Sequence, residues 1–171
     1  MPAKYQAKLR YSTTFTLSPT GTTVAQRVFS ANGMYDPDQT GIGHQPRGFD
    51  QIMSMYSHFT VVKCQMRAMF DHQDAAGSYP FIFGIFEDAN SGVTPDSEDV
   101  MEKSKIVSYL HTRDATRSQA KFTSYPNRRL GLNNPGNLQL SQLGSSSGNP
   151  TDQVYLKAFA YYPVSQVSPT F

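Results

Sequence analysis

Apolar and polar residues alternate with a period of two through much of the chain. From Tyr5 to Leu17 the odd positions read Tyr5, Ala7, Leu9, Tyr11, Thr13, Phe15, Leu17, and the even ones Gln6, Lys8, Arg10, Ser12, Thr14, Thr16. Successive strand side chains point to opposite faces, so this predicts a strand with one wet face. A second strand is predicted from Thr22 to Ser30, after the turn Ser18-Pro19-Thr20-Gly21. Residues 58–70 alternate again, with Val62, Cys64, Met66, Ala68 and Phe70 opposing Lys63, Gln65 and Arg67. Tyr79 to Glu87 is apolar in both phases, which predicts a central strand covered on both sides, with Gly84 marking a bulge. Residues 105–112 and 116–123 read as a hairpin turning at Arg113-Asp114-Ala115, and 153–162 as a seventh strand.

Helical spacing occurs once. Phe49, Ile52, Met53 and Tyr56 fall at i, i+3, i+4 and i+7, predicting one short helix around residues 47–57. Long connections at 31–46, 88–104 and 124–152 are rich in Gly, Pro, Asn and Ser, and such loops usually serve recognition or contacts with neighbours. Without internal repeats or a boundary, residues 1–171 are expected to form one all-β domain. The predicted architecture is a single jelly-roll β-sandwich of the eight-stranded type, with two antiparallel sheets. An immunoglobulin-like sandwich ranks second, because the chain has no Trp and one Cys.

Composition narrows the chemistry. An apolar fraction of 38% over 171 residues is enough for a self-sufficient core. No run approaches the roughly 20 apolar residues of a membrane span, and the amino end lacks the basic-then-apolar signal pattern, so no membrane partner is expected. Cys64 stands alone, which excludes an intrachain disulfide and a cysteine-built zinc site. His44, His58, His72 and His111 show no metal-ligand spacing, and no cofactor is expected. Asp36-Pro37-Asp38-Gln39-Thr40-Gly41 imitates half of a calcium loop, but Arg47 occupies the position of the closing Glu, so an Asp-rich turn is the simpler reading. Gly144-Ser145-Ser146-Ser147-Gly148 matches a nucleophile elbow in letters only, since neither a buried strand nor a helix flanks it. The pairs Glu87-Asp88 and Glu98-Asp99 are expected to be solvated surface rather than a glycosidase pair, and no catalysis is predicted.

Charge is unevenly spread behind a net +2. Residues 1–35 hold Lys4, Lys8, Arg10 and Arg27 without an acid, whereas residues 68–102 hold eight acids without a Lys or Arg. Lys8 and Arg10, Lys63 and Arg67, and Arg117 and Lys121 all occupy the polar phase of predicted strands, and Arg128-Arg129 adds a loop pair. On one sheet these would make a cationic face able to neutralise phosphates. The candidate nucleic-acid contacts are therefore Lys4, Lys8, Arg10, Lys63, Arg67, Arg117 and Lys121.

The run Ala31-Asn32-Gly33-Met34-Tyr35-Asp36-Pro37-Asp38, then Gly41-Ile42-Gly43-His44-Gln45-Pro46-Arg47-Gly48-Phe49-Asp50-Gln51, continues through Met55-Tyr56-Ser57-His58-Phe59. It resembles a block of the capsid proteins of small circular, Rep-encoding single-stranded DNA viruses, the circovirus-like group. The resemblance implies a jelly-roll subunit without enzymatic activity that self-assembles into a small icosahedral T=1 shell around circular single-stranded DNA. It also implies assembly inside the host cell, residence in the virion and an unnamed host receptor. Asp36, Gly43, His44, Pro46, Gly48, Phe49 and Asp50 carry the block as structural residues. The family's arginine-rich arm has no counterpart in Met1-Pro2-Ala3-Lys4-Tyr5-Gln6-Ala7-Lys8, a departure that bears on packaging. The alternative reading is a carbohydrate- or receptor-binding jelly-roll module using exposed Tyr side chains and Asn- and Asp-rich loops.

Overall fold

The computed structural model describes residues 2–20, 23–71, 80–92, 96–112, 118–131 and 139–163. Among these residues the strands are β1 (Ala25–Ser30), β2 (Cys64–Met69), β3 (Phe81–Asp88), β4 (Ile106–His111), β5 (Gln119–Ser124) and β6 (Tyr155–Tyr161). They form a four-stranded antiparallel sheet in the order β1-β6-β3-β4 and a two-stranded sheet, β2-β5. The pairing is nested: first with last, second with fifth, third with fourth. β6 also bonds β3, placing Ile82 opposite Tyr161 and closing the larger sheet.

Phe81, Phe83 and Ile85 of β3 and Leu156, Ala158 and Ala160 of β6 pack against Ala68 of β2 and Ala120 and Phe122 of β5, so the core lies between the sheets. Burying each large apolar side chain there contributes roughly 1.5–3 kcal/mol. The opposite phase of β3 and β6, Phe86, Phe159 and Tyr161, is covered by Val24 and by Val100 of α2 (Ser97–Met101). The expectation of a doubly covered β3 therefore holds. Its predicted bulge does not: the ladder runs in register through Gly84, which faces Ser108 and Phe159. Glycine is required there because a Cβ would overlap the Val107 carbonyl oxygen and crowd the Phe159 ring at 2.9 Å.

Three other expectations are corrected. The count is six strands among the described residues rather than seven or eight, because residues 5–17 are extended but unpaired. Their alternation is physical, since Leu9, Tyr11, Phe15 and Leu17 are half-buried while the even positions Lys8, Arg10, Ser12, Thr14 and Thr16 are exposed. An extended chain needs only one apolar surface to alternate, whereas a strand also needs a free sheet edge. The edge of β1 is already occupied by the loop at 37–39, through Ser30 N–H to Pro37 O at 2.8 Å and Gln39 N–H to Val28 O at 3.2 Å. The predicted hairpin of 105–112 with 116–123 is also absent: β4 pairs with β3, and β5 with β2 in the other sheet.

The helix after Pro46 forms, but over Phe49–Met53 only. This helix, α1, buries Phe49 and Met53 and half-buries Ile52, as its spacing requires, with Tyr56 half-buried beyond its end. Gly48 precedes it at φ 87°, a left-handed conformation that favours glycine. It is not the sole helix. The loops add α2, α3 (Pro126–Arg129) and a 3-10 turn at Leu140–Gln142, all too short to show a helical period. Asp96 caps α2 by accepting from Asp99 N–H at 2.8 Å. No helix of the described residues is long and apolar enough to cross a membrane.

Candidate nucleic-acid interface

The register of β2 with β5 sets the outer face of the smaller sheet. Gln65 lies opposite Thr123, Arg67 opposite Lys121, and Met69 opposite Gln119. The inward phase, Cys64, Met66, Ala68, Ala120 and Phe122, is held by the core, so Gln65, Arg67, Gln119, Lys121 and Thr123 are fixed outward together with the exposed Met69. One step beyond the ladder Lys63 meets Tyr125, with its ammonium 5.9 Å from the ring centroid. The stripe thus runs from Lys63 and Tyr125 to Arg67 and Lys121, and among the described residues the first carboxylate in that phase is the exposed Asp71, beyond Met69. Arg67 directly opposite Lys121 is a like-charge cross-strand pair, which is destabilising on its own. Among the described residues neither forms an ion pair. Phosphate would relieve that repulsion.

At the Tyr125 end the charge density rises. The Arg128 guanidinium lies 5.0 Å from the centre of the Tyr125 ring. Glu87, with a side chain only 1% exposed, is 2.9 Å from Lys105 Nζ and 3.6 Å from Arg129 Nε. Ser124 Oγ donates a short hydrogen bond to the other Glu87 oxygen. Glu87 was expected to be solvated; it is instead a buried anchor for two cations, because β3 is covered on both faces up to its last residues. A cavity of about 380 Å³ opens between Lys105, Thr123, Ser124, Tyr125 and Arg128.

The other side of the molecule is acidic. Asp96, Glu98, Asp99 and Glu102, in and around α2, are exposed beyond the larger sheet. Beneath them burial pushes the Lys157 ammonium below its ordinary value, against the pull of Asp88 at 3.4 Å.

The structure brings three of the seven candidate contacts onto one face: Lys63, Arg67 and Lys121. Arg117 lies outside the described residues. Lys4, Lys8 and Arg10 are exposed on the unpaired segment, whose ring contacts run instead to Tyr56, Phe29 and His44. Tyr125, Lys105 and Arg128 complete the site. Continuing the alternation of β5 past Thr123 would have reached Tyr125, but no period points to Lys105 or Arg128.

The block around 31–51 is knit together by local hydrogen bonds and close packing. Asp38 is buried, accepts Arg27 at 2.6 Å and caps the Thr40 N–H at 3.2 Å, which is the Asp-rich turn expected from the sequence. Asp36 is gripped through its backbone by Asn149, whose Nδ2 donates to Asp36 O at 2.7 Å. Gly43 fits because a Cβ would stand 2.8 Å from that of Asp38. His44 bridges Ser12 O and Gln45 O, each at 2.9 Å. Pro46 O accepts from Phe49 N–H at 3.1 Å, Gly48 supplies the turn, and Asp50 sits exposed in the first turn of α1.

Among the described residues no three His, Cys, Asp or Glu side chains converge as a metal site. Burial pushes the Cys64 thiol up to about 11, with the Glu87 charge adding to it, so it stays protonated. Ser145 and Ser147 bond each other at 3.2 Å across a tight turn. No protein-family model, curated protein or solved structure matches the chain.

Proposed function

We propose that the chain is the capsid subunit of a small circular single-stranded DNA virus, a jelly roll that assembles into an icosahedral shell and presents the β2–β5 face to the genome. The observation that carries the DNA contact is the unpaired like-charge stripe Lys63, Arg67, Lys121, on the side away from the acidic helix α2. Two further features support the reading. The nested pairing of the described strands is what a jelly roll's winding would give for three of its four strand pairs, which supports the reading. The block at 31–59 resembles the family in order and spacing. Chain copies would close by symmetry, so that many weak contacts act together.

The test is electron microscopy and sedimentation of the purified protein, with its nucleic-acid content measured for the wild type and for Arg67→Gln/Lys121→Gln. Particles of megadalton size are expected, with nucleic acid reduced in the double variant. A small oligomer in every buffer overturns the shell, and an unchanged nucleic-acid content overturns the interface.

A further inference from the structure

We propose that Tyr125 is the floor of a base-stacking subsite for single-stranded DNA, with Lys63, Lys105 and Arg128 holding the phosphates on either side. The proposal rests on reading the β2–β5 face as a nucleic-acid surface and assigns it a contact that charge alone does not supply.

Tyr125 is 40% exposed in a polar turn where a small hydrophilic residue would be solvated more easily. It is not adrift, because its neighbours on both sides are pinned. Ser124 is buried and bonded to Glu87, and Pro126 is buried as the first residue of α3. The ring therefore projects from a rigid support at the wall of the 380 Å³ cavity, a volume within the range of about 300–1,000 Å³ for small-molecule sites.

Lys63 and Arg128 lie over that ring, Lys105 lines the same cavity, and Glu87 pairs with both Lys105 and Arg129. The carboxylate fixes Lys105 at the cavity wall, which keeps part of the positive charge in place before any ligand arrives. Lys63 and Arg128 rest against the Tyr125 ring, and an exposed cation–π contact is weakly held. A phosphate competes for those cations and leaves a ring face to a base, while the guanidinium plane of Arg128 offers a second stacking surface. Every base has such a face, so the subsite is tolerant of sequence, as packaging requires.

The probe pair is a thymidine tetranucleotide and the abasic tetranucleotide of equal charge, titrated at one salt concentration. The wild type is expected to bind the tetranucleotide at least about fivefold more tightly than its abasic counterpart, the lower bound for one stacked base. Tyr125→Leu should erase that ratio and leave the abasic affinity unchanged; Tyr125→Phe should keep it. An upfield ring-current shift of the thymine methyl groups reads the stacking on wild-type protein and needs no variant. Equal wild-type affinity for the two probes overturns the subsite while leaving the DNA surface intact. Parallel loss of both affinities in Tyr125→Leu, or tighter binding of a heparin tetrasaccharide than of the tetranucleotide, also overturns it. If neither oligonucleotide binds, the nucleic-acid reading fails together with the subsite.

Discussion

Lys121→Glu should make the protein more stable and worse at holding DNA. Lys121 and Arg67 are direct cross-strand partners on the solvent face, so their side chains start about 5 Å apart. A like-charge pair at this spacing costs, and an opposite pair contributes, a few tenths to 1 kcal/mol in water, so reversing one sign shifts stability by roughly 0.5–1.5 kcal/mol. For a domain of this size that is a rise in Tm of roughly 1–5 °C. The gain should fade in 1 M salt, where screening acts within about 3 Å. DNA binding moves the other way. Each phosphate contact contributes a slope of about −0.7 to log K against log salt for single strands, and the substitution removes Lys121 and occupies Arg67. The slope should therefore become shallower by about 0.7–1.4. Differential scanning calorimetry and fluorescence anisotropy across a salt series measure both effects. A lower Tm together with an unchanged salt slope refutes the claim that this pair is unrelieved charge awaiting an anion.

Two other outcomes follow from local geometry. Gly84→Ala drives a methyl group into the Val107 carbonyl oxygen, a backbone atom in a central ladder that cannot turn aside, so the loss should reach or exceed the roughly 1–3 kcal/mol of ordinary overpacking. A near-native melting temperature would show that β3 and β4 can separate more easily than the register implies. His44 controls the docking of the amino-terminal segment. Both ring nitrogens face carbonyl oxygens, so only the imidazolium donates both bonds, and the Gln45 and Ser12 carbonyls raise its pKa above the ordinary value. With the folded value raised, the contribution is fully present below the unfolded pKa of about 6.5 and disappears as pH climbs through the folded one. The carbonyl carbon shift of Ser12, followed by NMR across that interval, should move in the wild type and not in His44→Gln. Identical pH profiles for the two proteins contradict the assignment.

The apolar pattern, alternating in most stretches and continuous at β3, overlaps each strand of the described residues, although the predicted stretch 58–70 begins well before Cys64; the reason is that each strand turns one phase toward the core. It could not locate partners. Residues 105–112 and 116–123 each carry a legitimate strand pattern, yet nothing in their letters says that Ala120 and Phe122 must face Ala68 across the other sheet. Residues 5–17 show the limit most clearly, since a half-buried extended segment and a strand share one pattern and differ only in whether a sheet edge is free. The cationic face was legible at Lys63, Arg67 and Lys121, whose phase is fixed by buried neighbours. Lys105 and Arg128 were not, because Glu87 and the Tyr125 ring gather them from loops that carry no period.

The nesting of the chain also dictates when it can become a protein. β6 sits in the middle of the larger sheet, between β1 and β3, yet it follows the five other strands of the described residues along the chain. Ala25 must wait for Ala160, and until then the apolar phases of β1 and β3 have no central neighbour to cover them. Contacts so distant along the chain are slow to form and leave sticky intermediates during synthesis. Translation halted ahead of Tyr155 would yield a nascent polypeptide without its keystone, and the larger sheet can knit only once Tyr155–Tyr161 has emerged.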